Sequence, residues 1–186
     1  RPQPPTLLAA TATTLKLRLS LPEDLRGNAA DNLQFYLESD IGKLGVVDFV
    51  SLSSDDTITL SRLRPACPYH VRVSVCGHCG NSPLSAFACF STKPSAPLAP
   101  RSLRRVALES EYDPLIFARI AWMEPACDNG MPVKSYRVEL ASRKDPNTLQ
   151  FALVGQTSNN SYLLSGLRPG FPYAVRVQAV NAVGVG

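Results

Sequence analysis

Proline recurs sixteen times along this 186-residue chain, scattered through both halves in a way that argues against long helices. Each proline lacks the N–H that a helix interior needs and its ring collides with the preceding turn, at a cost of about 3 kcal/mol or more. Between the prolines run short segments in which apolar and polar residues alternate, the period-two pattern of half-buried strands. The cleanest is Tyr173-Ala174-Val175-Arg176-Val177-Gln178-Ala179, with Tyr173, Val175, Val177 and Ala179 on one face. The chain is expected to be all-β.

Composition removes other classes. With 45% hydrophobic residues and a net charge of +4, the chain is too apolar and too weakly charged for intrinsic disorder. It has no run of about twenty apolar residues, so no direct insertion of a spanning helix into a membrane is expected. The opening Arg1-Pro2-Gln3-Pro4-Pro5 lacks the basic start and apolar block of a secretion signal.

The chain repeats itself. Leu63-Arg64-Pro65-Ala66-Cys67-Pro68-Tyr69-His70-Val71-Arg72-Val73 returns 104 residues later as Leu167-Arg168-Pro169-Gly170-Phe171-Pro172-Tyr173-Ala174-Val175-Arg176-Val177. The predicted organisation is one module over residues 1–94, a proline-rich linker over 95–100 and a second module over 101–186. The joint around Lys93-Pro94-Ser95-Ala96-Pro97 holds two prolines, which favours a semi-rigid connection. In the first module strands are expected at 15–19, 35–38, 48–52, 57–60, 69–75 and 87–91; in the second, at 116–122, 134–140, 149–154, 161–164 and 173–179.

The second copy reads Trp122-Met123-Glu124-Pro125, then Asn129-Gly130 leading into Tyr136-Arg137-Val138-Glu139-Leu140. It closes on Leu167-x-Pro169, Tyr173-x-Val175-x-Val177-x-Ala179-x-Asn181 and Gly184. This resembles a fibronectin type III domain. The first copy is more divergent: Leu19 stands in place of the tryptophan and Phe35 in place of Tyr136, although the Leu63 to Tyr69 stretch is kept. The resemblance implies two seven-stranded, immunoglobulin-like sandwiches, usually without an inter-sheet disulfide. The second is expected to lack its last strand in this chain, because it stops at Gly184-Val185-Gly186, where a closing hairpin should turn.

The expected structural core comprises Trp122, Leu19, Tyr69, Tyr173, Tyr136, Leu63 and Leu167. Tyr69 and Tyr173 each follow a leucine by six residues, the setting of a tyrosine corner, whose hydroxyl bonds to backbone upstream. Glu139 is expected beside Arg176, and Glu38 beside Arg72, as solvated pairs contributing about 0.2–1 kcal/mol. Arg101, Arg104 and Arg105 form a basic patch without interleaved aromatics, so no nucleic acid is expected as a partner.

Cys76-Gly77-His78-Cys79 has the letters of a redox or zinc motif. Redox chemistry needs the first cysteine at a helix N-terminus, whereas this motif ends a strand and meets Gly80-Asn81-Ser82-Pro83. A structural zinc needs four converging ligands, and a second Cys-x-x-Cys pair is absent. Cys76, Cys79 and Cys89 are therefore read as a disulfide or thiol cluster, with Cys89 bridged to Cys76 or Cys79 or all three unpaired. No metal and no cofactor is expected. Cys127 is alone in its module, and five cysteines leave an odd thiol.

No serine elbow, phosphate-cradling glycine loop or metalloprotease signature occurs, so no enzymatic activity is expected. The resemblance implies a protein–protein interaction and spacer segment of a larger adhesion, receptor or scaffold protein, with other proteins as partners. Two alternatives are an accessory segment of a multidomain enzyme, such as a receptor phosphatase or kinase, and an intracellular scaffold. Asn159-Asn160-Ser161 is a glycosylation sequon at Asn159. The family's habits favour an extracellular or cell-surface location, and the odd cysteines favour a cytoplasmic one.

Overall fold

A computed structural model describes residues 1–20, 32–39, 46–50, 56–77, 80–108, 113, 116–142 and 150–186. Among these residues there is no helix, and the strands pair antiparallel throughout. The chain divides into two compact units, Arg1–Pro94 and Ser95–Gly186.

The first unit contains β1 (Thr6–Ala10), β2 (Leu15–Arg18), β3 (Asn32–Ser39), β4 (Val46–Val50), β5 (Thr57–Leu60), β6 (Pro68–Gly77), β7 (Gly80–Asn81) and β8 (Ala88–Ser91). One sheet runs β1-β2-β5; the other runs β4-β3-β6-β7, with β8 also paired to β6. Alternation does the sorting: Leu15 and Leu17 of β2 and Ile58 and Leu60 of β5 point inward and are buried against Tyr69, Val71 and Val73 of β6. Leu63, Cys67 and Leu19 complete this core.

The second unit contains β9 (Arg101–Val106), β10 (Ala118–Met123), β11 (Ser135–Ser142), β12 (Ala152–Thr157), β13 (Ser161–Leu164) and β14 (Tyr173–Val180). Its sheets run β13-β10-β9 and β12-β11-β14. Ala118, Ile120, Trp122 and Leu164 from the first sheet meet Tyr136, Val138 and Ala179 from the second. Trp122 packs edge-on against Tyr136, with ring centroids 5.3 Å apart.

Residues 95–98 are tied into the second unit: Ser95 N–H donates to Asn129 O and Leu98 N–H to Cys127 O. Asn129 holds φ at 55° and Gly130 at 87°, left-handed conformations that suit asparagine and glycine, so Asp128-Asn129-Gly130 forms a tight turn.

Pairing register aligns the two units and corrects two expectations. Leu19 N–H donates to Asp56 O as Trp122 N–H donates to Asn160 O, so Leu19 occupies the tryptophan's place. Leu15 then corresponds to Ala118, so the first unit sets a leucine where the second has an alanine. However, Ser39 opposes Tyr69 as Ser142 opposes Tyr173, which makes Leu33, not Phe35, the counterpart of Tyr136. The same count places Glu38 opposite His70, while Arg72 faces Tyr36. A slip of two residues leaves every side chain on its original face, so alternation alone cannot detect it.

The strand at 48–52 is observed as β4; residues 51–52 lie outside the described residues, as does Leu149. β1, β7 and β9 were not anticipated. In β9 the Arg-Arg pair masks the period-two signal.

Candidate interaction surface

In the second unit β9 and β14 are the outer strands of their respective sheets. Between them lies an open groove of about 470 Å³. Its floor includes Phe117, Ile120, Leu164 and Val175, and its mouth carries Leu103 and Phe171, which are 40% and 45% exposed. Arg104, Arg105 and Arg168 also line it, and no lining residue among those described is acidic. Arg105 opposes Ile120, whose side chain faces the core, so Arg105 stands on the inward face of β9. The corresponding residue of the first unit is Leu7, opposite Leu17. The predicted basic patch is thus an edge strand, and two of its three arginines, Arg104 and Arg105, border an apolar groove. Arg101 turns elsewhere and donates from Nε to Glu124 O.

β14 pairs with β11 along its whole length. On its other side an isolated bridge joins Val180 to Val185, and Gly186 N–H donates to Ala179 O. Among the described residues no strand pairs with that side of Tyr173–Val177. In the first unit the equivalent edge of β6 carries β8, with Phe90 opposite Tyr69 and packed on the core.

The corner tyrosines bond upstream. Tyr69 Oη accepts from Arg64 N–H at 2.8 Å, and Tyr173 Oη accepts from Arg168 N–H at 2.9 Å. Tyr69 is fully buried and Tyr173 only partly, because Tyr173 borders the groove. Burial pushes the Tyr69 hydroxyl above its usual value near 10, and the hydrogen bond from Arg64 only partly offsets this. Burial also raises Tyr136, assisted by the charge of Glu124. The folded state holds both phenols neutral. Their contribution is fully present below about pH 10 and is lost as pH rises through the elevated folded values. In an alkaline titration followed by phenolate absorbance, with the Tyr69→Phe and Tyr136→Phe variants marking the two signals, both phenols should ionise only above about pH 10 and together with unfolding. Ionisation of either in an early, reversible step would contradict the assignment.

Glu139 departs from the expected solvated pair. It is only 7% exposed, because the guanidinium of Arg176 donates to its carboxylate and Arg137 lies 3.7 Å away on the other side. Arg176 in turn stacks over Phe151 at 4.3 Å. Arg72 stacks over Phe87 at the same distance.

Leu63 is buried and Leu167 partly so, each beside its own core. Cys67, Cys89 and Cys127 are free thiols, the first buried and the others exposed. Cys89 lies opposite His70, six residues along β6 from Cys76. That separation is about 20 Å, well beyond the span of a disulfide. Of the readings left open, a Cys76–Cys89 bridge is thus out of reach, and Cys89 is a free thiol as in the unpaired alternative. Cys79 and His78 lie outside the described residues. Asn159 is exposed in the turn between β12 and β13.

Asn181 belongs to the closing motif of the second copy, but the sequence gives it no role. It is buried, and its Nδ2 donates to Ser95 O, Asp128 O and Met131 O while Oδ1 accepts from Val183 and Gly184 N–H. One amide thus joins the opening of the unit, the 128–131 loop and the turn after β14.

Residues 117–186, which hold the core tryptophan and the corner tyrosine of this sandwich, match the sequence model of the fibronectin type III domain. Over 99% of its length the chain is 28% identical to fibronectin type-III domain-containing protein 3A of Mus musculus, spanning 15% of that relative. It is also 28% identical over 134 residues, 70% of the chain, to human integrin beta-4, spanning 7% of it. The chain thus spans only about a seventh of the curated relatives it matches over nearly its full length. Among solved structures, a two-domain fibronectin type III segment of chicken tenascin aligns across the whole chain at 19% identity with a TM-score of 0.42. No helix among the described residues is long and apolar enough to cross a membrane.

Proposed function

We propose that the chain is a tandem pair of fibronectin type III domains serving as a non-enzymatic protein–protein interaction and spacer segment of a larger adhesion, receptor or scaffold protein. The observation that carries this reading is the family-model match of residues 117–186 together with large apolar residues exposed on the second unit, among them Met123 and Leu153. The register-matched repetition of the units supports the tandem arrangement. The names of the relatives, an integrin subunit and a protein named for its fibronectin type III domains, support a role in modular proteins.

A second reading, an intracellular scaffold, is favoured by the thiols. Cys89 and Cys127 are exposed and free, a state that an oxidising compartment discourages. Glycosylation at Asn159 belongs with the cell-surface reading.

A photoreactive amino acid introduced in cells at Met123, Leu153 or Phe171, three exposed apolar positions, tests the interaction role. A discrete protein adduct at one of them is expected. A folded chain that gives no adduct at any of the three would contradict it.

A further inference from the structure

We propose that the pocket between the β10–β11 loop and the β12–β13 turn of the second unit receives a basic side chain, arginine or lysine, from a partner protein. The proposal rests on the interaction reading above and names the chemistry that the partner presents.

The pocket is built from residues 124–128, 132–134, 136, 158 and 160, and its volume of about 560 Å³ has room for one long side chain. Its sign runs against the rest of the chain. Whereas the whole sequence carries a net charge of +4, the lining sets the carboxylates of Glu124 and Asp128 against the single ammonium of Lys134. The balance is negative, and a cation is the favoured guest.

The second observation is Tyr136, which lines the same pocket although it is only 3% exposed. Its ring packs on Trp122 in the core, and its hydroxyl, on which the charge of Glu124 acts, has no hydrogen-bond partner among the described residues. A phenol in such a place has given up water without gaining a partner. An N–H donor entering the pocket satisfies its oxygen while Glu124 meets the positive charge.

The loop is held in place before any guest arrives. Asn181 Nδ2 donates to Asp128 O and Met131 O, and Gly130 N–H donates to Asp128 Oδ1, so that Oδ2 is left for an incoming donor. Pro125 and Pro132 stiffen the loop and, with Val133, offer apolar surface along which the methylene stem of a lysine or arginine lies while its head meets the carboxylates. A site fixed in this way loses little conformational freedom on binding.

The test titrates three probes into the isotope-labelled intact chain, followed by amide chemical shifts: the acetylated amides of arginine, of lysine and of citrulline, the neutral isostere of arginine. Saturable shifts at Lys134, Tyr136, Ser158 and Asn160 are expected with arginine and lysine, and citrulline should bind about tenfold weaker or worse. Glu124→Gln and Asp128→Asn together should bring arginine down to the citrulline level, since both keep the size of the side chain and asparagine keeps an acceptor for Gly130 N–H. Tyr136→Phe removes only the hydroxyl and should weaken arginine about fivefold without lowering the melting temperature. Cys127, an exposed free thiol in the lining, gives a second readout: arginine should slow its alkylation by iodoacetamide and leave that of Cys89 unchanged. Equal binding of citrulline and arginine would overturn the cationic guest. No saturable shift with any probe, together with unslowed alkylation of Cys127, would overturn the pocket as a site. In either case an adduct at Met123 or Leu153 in the cross-linking experiment would keep the broader interaction role standing.

Discussion

Replacing Trp122 by alanine should destabilise the second unit by about 3 kcal/mol, toward the lower end of the 3–5 kcal/mol measured for such truncations in protein cores. The indole is almost wholly buried between the two sheets and meets Tyr136 edge-on, an arrangement that adds about 0.5–1.5 kcal/mol beyond area alone. One feature works the other way. Nε1 of Trp122 is buried without an acceptor among the described residues, so truncation also relieves a desolvated donor. Because the chain has a single tryptophan, the measurement is denaturant unfolding followed by circular dichroism. The transition of the first unit should stay where it was. Trp122→Leu should cost less, since the first unit fills the equivalent position with Leu19. A loss below about 1 kcal/mol for the alanine variant would mean that the indole does not hold the two sheets together.

Asn181→Ala should cost a comparable amount, about 3 kcal/mol, by a different mechanism. No large cavity opens, but carbonyls of Ser95, Asp128 and Met131 and the N–H groups of Val183 and Gly184 lose their partner at once. Each net hydrogen bond contributes about 1 kcal/mol, and the longest, at 3.4 Å to Met131, contributes least. Asn181→Asp is the sharper variant. It keeps an acceptor for Val183 and Gly184 but turns a second oxygen toward three carbonyls, so near neutral pH it should be no more stable than alanine. An aspartate variant as stable as the parent would show that the three donated bonds contribute nothing.

Much of the fold can be read from the chain, and the failures have physical causes. The strands with clean alternation, such as Thr57–Leu60, Ser161–Leu164 and β14, appear where the pattern places them. The corner tyrosines are legible because a fixed leucine-to-tyrosine spacing builds the motif. Pairing register is not legible at a two-residue offset, which is why Leu33 and Phe35, and Tyr36 and Glu38, exchange roles. The groove is hidden for another reason: it depends on two strand edges, β9 and β14, that no local pattern relates. Asn181 is hidden because its acceptors are backbone atoms as far as 86 residues away, and backbone leaves no mark in a sequence. The burial of Glu139 follows from Arg176, Arg137 and Phe151 closing over it, where charge composition alone suggests a solvated residue.

The surface charges divide along the same lines. Arg176 and Arg137 are committed to Glu139, and Arg101 is held by a backbone carbonyl. Arg105, on the inward face of β9, and Arg168 border one groove instead, while Arg104 stands opposite Ala121 on the other face of the strand.

The central claim, that the chain is built of two independently folding sandwich units, is tested most directly by amide hydrogen exchange of residues 1–94 and 95–186 as separate fragments beside the intact chain. Slow exchange along β6 in the first fragment and along β11 in the second, as in the intact chain, is the predicted result. Loss of that protection in both fragments would contradict it.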